Sequence, residues 1–139
     1  GFNSQRPDMK RGFTCGSMDL LHAGHVLMLK ECKQQCDYLI VGLQTDPTTD
    51  RPNKNKPVET LEERRIRLEG SKYVDEIVIY ETESDLYKIL QELKPDVRFV
   101  GADHQGKPFT GDDLPIPVIF NSREHKFSSS SLRERIKNS

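Results

Sequence analysis

The sequence predicts an α/β protein: a single Rossmann-like domain with a parallel sheet and helices on both faces. Three observations predict it. Short apolar runs alternate with segments of helical period along the chain. One of the runs, Tyr38-Leu39-Ile40-Val41-Gly42-Leu43, is continuously apolar, as expected of a parallel strand buried on both faces. The 139 residues are one domain's worth of chain, enough to bury a core without staples.

The elements follow in order. Arg11 to Cys15 reads as a short strand running into Gly16. Leu20 to Lys33 carries Leu21, His25, Met28, Leu29 and Cys32 at helical spacing. After the strand at Tyr38 to Leu43, residues 46–57 form a loop rich in Pro, Asn and Thr that bears Arg51, Lys54 and Lys56. Thr60-Leu61-Glu62-Glu63 matches a capping box, so a helix opens there and runs to about Lys72. Glu76 to Tyr80 is a strand. Asp85 to Leu93 places Leu86, Ile89, Leu90 and Leu93 on one stripe of a helix, which Pro95 ends. Val97 to Val100 and Val118 to Phe120 are strands on either side of a Gly/Asp/Pro loop. A serine run leads into a last helix at Leu132 to Lys137, opened by Ser131 and Glu134. Alternation of this kind joins parallel strands by right-handed crossovers. Residues 1–8 are polar and read as a flexible leader or an expression remnant, leaving 9–139 as the domain.

Composition narrows the function classes. Lys and Arg number 21 against 22 Asp and Glu, a formal net charge of −1. A nucleic-acid or membrane surface as main partner calls for a basic excess, so neither is expected. No apolar run approaches membrane-spanning length and no signal peptide is visible, so a cytoplasmic setting is expected. Cys15, Cys32 and Cys36 are too few and unevenly placed for a disulfide framework, and all three are expected as thiols.

Ligands of such sheets bind at the carboxyl ends of the strands. The loop after the first strand, Cys15 to His25, therefore holds the main candidates. His22 and His25 are three residues apart and are expected in the first turn of a helix, beside its free N–H groups and positive dipole end. Gly24 lets a ligand approach the backbone. Two imidazoles, amides and a glycine at a helix N-terminus make a phosphate site. The pair is also at a spacing that binds metals, but no Cys, Asp or Glu at ligand spacing completes a zinc set, and no metal site is expected. A GxGxxG fingerprint is absent.

The run Gly16-Ser17-Met18-Asp19-Leu20-Leu21-His22-Ala23-Gly24-His25 resembles the Gly-Thr-Phe-Asp-x-x-His-x-Gly-His signature of the HxGH nucleotidyltransferases. It is similar most of all to the cytidylyltransferases, and among them to the glycerol-3-phosphate cytidylyltransferases. Tyr73-Val74-Asp75-Glu76 resembles the family's Arg-Tyr-Val-Asp-Glu. Gly101 to Lys107 resembles its Gly-Asp-Asp-Trp-Glu-Gly-Lys, and Arg123 with Ser128-Ser129-Ser130 its Arg-Thr-Glu-Gly-Ile-Ser-Thr-Thr. The likeness spans nearly all of residues 10 to 137.

The resemblance implies transfer of a cytidylyl group from CTP, with Mg²⁺, to a small phosphorylated alcohol, glycerol 3-phosphate first among them. In that reading His22 and His25 stabilise the charge that builds on the α-phosphorus, with Lys54, Lys56 and Arg123 as further catalytic cations. Gly16, Ser17, Met18, Asp19, Gly24, Asp103, Arg123, Ser128, Ser129 and Ser130 bind the nucleotide. Ser17 keeps the hydroxyl of the family's Thr, while Met18 replaces a Phe as a packing change. Asp19 reads equally as a helix N-cap, Asp103 as a turn aspartate, the lysines as a solvated loop and the serines as a helix cap. The resemblance also implies a homodimer paired around Arg64 and Tyr73 to Glu76. Two alternatives stand beside this reading: an adenylyltransferase acting on a sugar or flavin phosphate, and a nucleotide-binding module without turnover.

Overall fold

The computed structural model describes residues 9–121. Five strands and three helices alternate: β1 (Arg11–Gly16), α1 (Ala23–Gln34), β2 (Tyr38–Gln44), α2 (Leu61–Glu69), β3 (Glu76–Tyr80), α3 (Glu83–Leu93), β4 (Val97–Val100) and β5 (Val118–Phe120). Single 3₁₀ turns at Pro47–Thr49 and Ala102–His104 interrupt the loops after β2 and β4. The sheet order is β3-β2-β1-β4-β5 and every pairing is parallel. The chain therefore steps outward from β1 to β3, then crosses back to β4. Strand order reverses between β1 and β4, and the loops diverging there open a crevice.

That reversal also distributes the core. Right-handed crossovers put α1 and α2 on one face and α3 on the other. Leu29, Cys32 and Leu68 pack with Leu39, Val41, Leu43, Val97 and Phe99 on the first face. Leu86 and Leu90 pack with Phe13, Ile40 and Tyr80 on the second. β2 is covered from both sides, and Leu39 to Leu43 are buried without a break.

The lower edge of the sheet is closed by aspartates that precede strands. Asp37, Asp75 and Asp96 accept the backbone N–H of Lys10, Leu39 and Arg11. Asp75 also binds Lys33 Nζ at 2.6 Å, and Glu76 accepts the Tyr38 hydroxyl. The Tyr73-Val74-Asp75-Glu76 motif thus anchors β2 and β3. The Thr60–Glu63 capping box forms as expected, and α3 opens two residues early on a second one, Thr82 with Asp85. α2 stops at Glu69, with the Gly70 N–H donating to Ile66 O, short of the Lys72 expected from periodicity.

The largest departure lies at α1. The spacing predicts a helix from Leu20, but it begins at Ala23. Met18 and Leu20 take left-handed φ values of 51° and 50°, which a helix excludes. The three cysteines are free thiols. No helix among the described residues is long and apolar enough to cross a membrane. The expected helix at Leu132 to Lys137 lies outside the described residues.

Candidate active site

The loop after β1 is strained and held from a distance. A non-glycine residue in the left-handed region costs of order 1–3 kcal/mol, and this loop has two of them, Met18 and Leu20. What compensates is a reciprocal clamp to the chain entering α2. Asp19, 2% exposed, accepts the N–H of Val58 and of Glu59, each at 2.9 Å. Glu59 returns the contact by accepting the Leu20 N–H at 2.7 Å, while its other oxygen pairs with Arg67. Arg64, 2% exposed, sits underneath and donates to the carbonyls of Ser17, Gln44, Thr45 and Glu59. One guanidinium so joins the ends of β1 and β2 to the start of α2. Arg64 is therefore interior to the chain's own fold.

The two histidines cap α1 with their own side chains. His22 is the N-cap residue, one position before the first turn in which it was expected. Its Nδ1 accepts the Gly24 N–H at 3.0 Å, and His25 Nδ1 accepts the His22 N–H at 3.3 Å. The amides of His22 and Gly24, counted from sequence as donors to a ligand, are thus taken by imidazoles. In exchange the chemistry of the rings is set. A neutral imidazole that accepts at Nδ1 carries its proton on Nε2. The ring centroids lie 4.2 Å apart. Burial, and after it the neighbouring His22 ring, bring His25 down to about 4, and burial lowers His22. At neutral pH both rings are uncharged, with the proton on Nε2.

Beside this loop a cleft of about 350 Å³ opens at the reversal point, on the α3 face. Gly16, Ser17 and Asp19 form its rim toward the histidines, which are not among its lining residues. Cys15 and Tyr80 lie on its floor, and burial pushes both above their ordinary pKa values. Gly42 makes the floor compact: a Cβ there would stand 2.9 Å from Phe13 Cζ and 3.3 Å from Tyr80 Cε1. The loop after β2 is the opposite wall, where Arg51 and Lys54 line the cleft. Arg51 pairs with Glu83 at 2.6 Å, and the Glu83 N–H donates to Asp50, so this loop is latched to the N-terminus of α3. Thr110 donates to the same Glu83 oxygen. The floor also holds Arg98, whose side chain leaves β4 on the α3 face.

A family model for cytidylyltransferase-like proteins matches residues 13–135. The chain belongs to the cytidylyltransferase-like family. As a cytidylyltransferase-like chain it falls among the nucleotidyltransferases, which are enzymes. It is 34% identical over 135 residues to the bifunctional protein HldE of Campylobacter curvus, covering 96% of this chain and 29% of that protein. It is 35% identical over 126 residues to the bifunctional protein HldE of Helicobacter pylori strain Shi470, covering 90% of this chain and 27% of that protein. The chain thus spans less than a third of these relatives. Among solved structures it is similar to a lipopolysaccharide core biosynthesis protein from Thermoplasma volcanium, with a TM-score of 0.60 at 28% identity over 94% of this chain and 88% of the other. A pantoate-beta-alanine ligase from Francisella tularensis shares the fold, with a TM-score of 0.60 at 19% identity over 97% of this chain and 72% of the other.

For this cytidylyltransferase-like chain the expected site residues are placed as follows. Gly16, Ser17, Asp19 and Lys54 line the cleft. His22, Gly24 and His25 stand at the start of α1, next to its rim. Met18 points into the core on the α1 face, as the packing role implied. Lys56 is exposed on the Lys54 loop, outside the cleft lining. Asp103 is exposed on the turn after β4, and its neighbour His104 lines the cleft. Arg123, Ser128, Ser129 and Ser130 lie outside the described residues. Three cleft or clamp residues escaped the sequence reading, Glu59, Glu83 and Arg98, while Arg51 was read only as a basic residue of its loop. Arg98 alone left a trace, as a charge inside the apolar run Val97 to Val100.

Proposed function

We propose that the chain transfers a nucleotidyl group from a nucleoside triphosphate to the phosphate of a sugar phosphate or similar polyol phosphate. An oxygen of the acceptor phosphate attacks the α-phosphorus. The bond from that phosphorus to the bridging oxygen breaks, and pyrophosphate leaves with the electron pair. The observation that carries the reading is the pair of neutral imidazoles at the start of α1, each with Nδ1 committed to a backbone N–H and its proton therefore on Nε2. Donors fixed before the reaction stabilise charge where it builds, at no reorganisation cost. Lys54 adds a cation from the facing wall, and Arg123 with Ser128 to Ser130 serve the triphosphate in the same reading.

Mg²⁺ enters this reading with the nucleotide. Among the described residues no three His, Cys, Asp or Glu side chains gather into a metal site, and both Asp19 oxygens are occupied by backbone amides. These residues suit an ion carried on phosphate oxygens, where it would neutralise the leaving pyrophosphate. The likeness to HldE and to a lipopolysaccharide core biosynthesis protein favours a sugar phosphate as acceptor. CTP with glycerol 3-phosphate is the second reading, favoured by the cytidylyltransferase-like motifs around Asp103 and Lys107.

The test is pyrophosphate release in a matrix: ATP, CTP, GTP and UTP against a hexose 1-phosphate, glycerol 3-phosphate and flavin mononucleotide, with Mg²⁺. Release that depends on a sugar phosphate supports the first reading. Release with CTP and glycerol 3-phosphate alone selects the second. Silence across the matrix overturns both.

A further inference from the structure

Arg98 is 5% exposed, yet its guanidinium is only partly partnered among the described residues. Among the described residues no carboxylate stands within ion-pair distance of it. Among the described residues Nη1 donates to Thr110 O, and Nη2 has only the Cys15 sulfur at 4.0 Å. Nε is buried with no hydrogen-bond partner. The Phe109 ring covers the guanidinium at 5.0 Å, and Gly111, at φ +85°, closes the turn over it. A Cβ on Gly111 would come within 2.9 Å of Nη1. An uncompensated buried charge is among the costliest features a fold can keep. An arginine meets an oxyanion through paired N–H groups, and such charge-assisted bonds are about twice as strong as neutral ones.

The surroundings say what kind of anion. The guanidinium borders the same cleft as Gly16 and Ser17, and its sulfur contact, Cys15, directly precedes them. Asn55 brings a hydrogen-bonding side chain of the kind that binds hydroxyls, while Gln44 and Thr110 line the same cleft with their side chains bonded to Glu83. Lys54 supplies a second positive charge from the opposite wall. We propose that Arg98 is the anion anchor of the acceptor subsite, holding the phosphate of a phosphorylated polyol in the cleft on the α3 face. The proposal rests on the nucleotidyl-transfer reading for the identity of its ligand, and it makes Arg98 a determinant of acceptor specificity.

The test uses the unmodified chain first. The Arg98 Nε–H resonance is followed by ¹⁵N NMR while inorganic phosphate, glycerol 3-phosphate, glucose 1-phosphate, pyrophosphate or free glycerol is added. Phosphomonoesters should move the resonance and saturate, with free glycerol leaving it in place. Arg98→Met should then raise the acceptor KM about 10- to 100-fold, the scale of losing one or two bonds to a charged group, while the nucleotide KM changes less than about threefold. Arg98→Lys should recover part of the loss, because charge returns without the fork. A resonance that stays put at saturating phosphomonoester overturns the anchor, as does a larger response to pyrophosphate or a KM effect that falls on the nucleotide. The two readings separate cleanly. Pyrophosphate release with an unresponsive Arg98 sinks only the anchor. A responsive Arg98 in a chain that releases no pyrophosphate sinks the transfer reaction and the acceptor role with it, leaving Arg98 as a phosphomonoester anchor.

Discussion

Arg64 and Arg98 are both buried, at 2% and 5% exposure, and the fold treats them in opposite ways. Arg64 is saturated. Its guanidinium meets four backbone carbonyls, and Asp19 and Glu59 are charged neighbours. Arg98 has one carbonyl, a distant sulfur and an orphaned Nε. The first arrangement is closed, with every guanidinium nitrogen committed to holding three chain segments in register. The second is open, with donors in reserve at the floor of a cleft. A buried charge that is fully paired belongs to the architecture, and one left unpaired beside a cavity points to a ligand.

Breaking the closed arrangement should have the largest effect. Arg64→Met strands the carbonyls of Ser17, Gln44 and Thr45 and takes a cationic neighbour from the buried Asp19. We expect a loss of about 3–5 kcal/mol in urea unfolding, the scale for removing one partner of a buried charge network. A loss under about 1 kcal/mol would erase the contrast between the two arginines.

The histidine pair stands next, since it is both cap and chemistry. His22→Ala and His25→Ala should each lower kcat about 10²-fold or more, near 3 kcal/mol of transition-state stabilisation. Each should also lower stability by about 1 kcal/mol, because each removes an acceptor from the start of α1. His22→Asn separates the roles: the amide oxygen can cap the helix, so stability should return while kcat stays low. Parent-like kcat in His22→Asn would reduce the imidazole to a cap.

Acid should reveal the same pair. The folded pKa of His25 is about 4 against an ordinary 6.5, so the unfolded chain binds more protons between those values. Stability should be full above about pH 6.5 and fall as pH drops toward about 4, by about 1–2 kcal/mol after allowance for a partly exposed ring. Urea midpoints at a series of pH values would show it, and the slope should flatten in His25→Gln. An equal slope in that variant would place the proton uptake elsewhere.

The smallest expected change is the stability of Arg98→Met. Replacing an unpaired buried cation by an apolar side chain of similar length should leave unfolding within about 1 kcal/mol of the parent, on either side. A loss as large as that of Arg64→Met would make Arg98 a structural residue.

These residues also mark how far the sequence could be read. The strands at Glu76–Tyr80, Val97–Val100 and Val118–Phe120 begin and end where the pattern places them, because each is a short apolar run bounded by breakers. The Thr60 cap was legible for a similar reason, since both partners lie within four residues. The start of α1 was not. Leu21 extends the helical period backward, but the Leu20 N–H is held by Glu59, 39 residues on. Asp19 read as cap or ligand group, and its partners proved to be Val58 and Glu59.

By itself the sequence determined the order of elements, the α/β class and the placing of the histidine motif at a strand end. Those follow from periodicities and caps whose energies act over a few residues. Only the tertiary structure decided that β1 lies between β2 and β4, that Arg64 finds four carbonyls and that Arg98 finds almost nothing. Strand order sets which distant side chains share a pocket, and a buried charge is valued by those neighbours. The Arg98 and Thr110 pair, 12 residues apart, meets only because the turn at Gly111 folds back over β4.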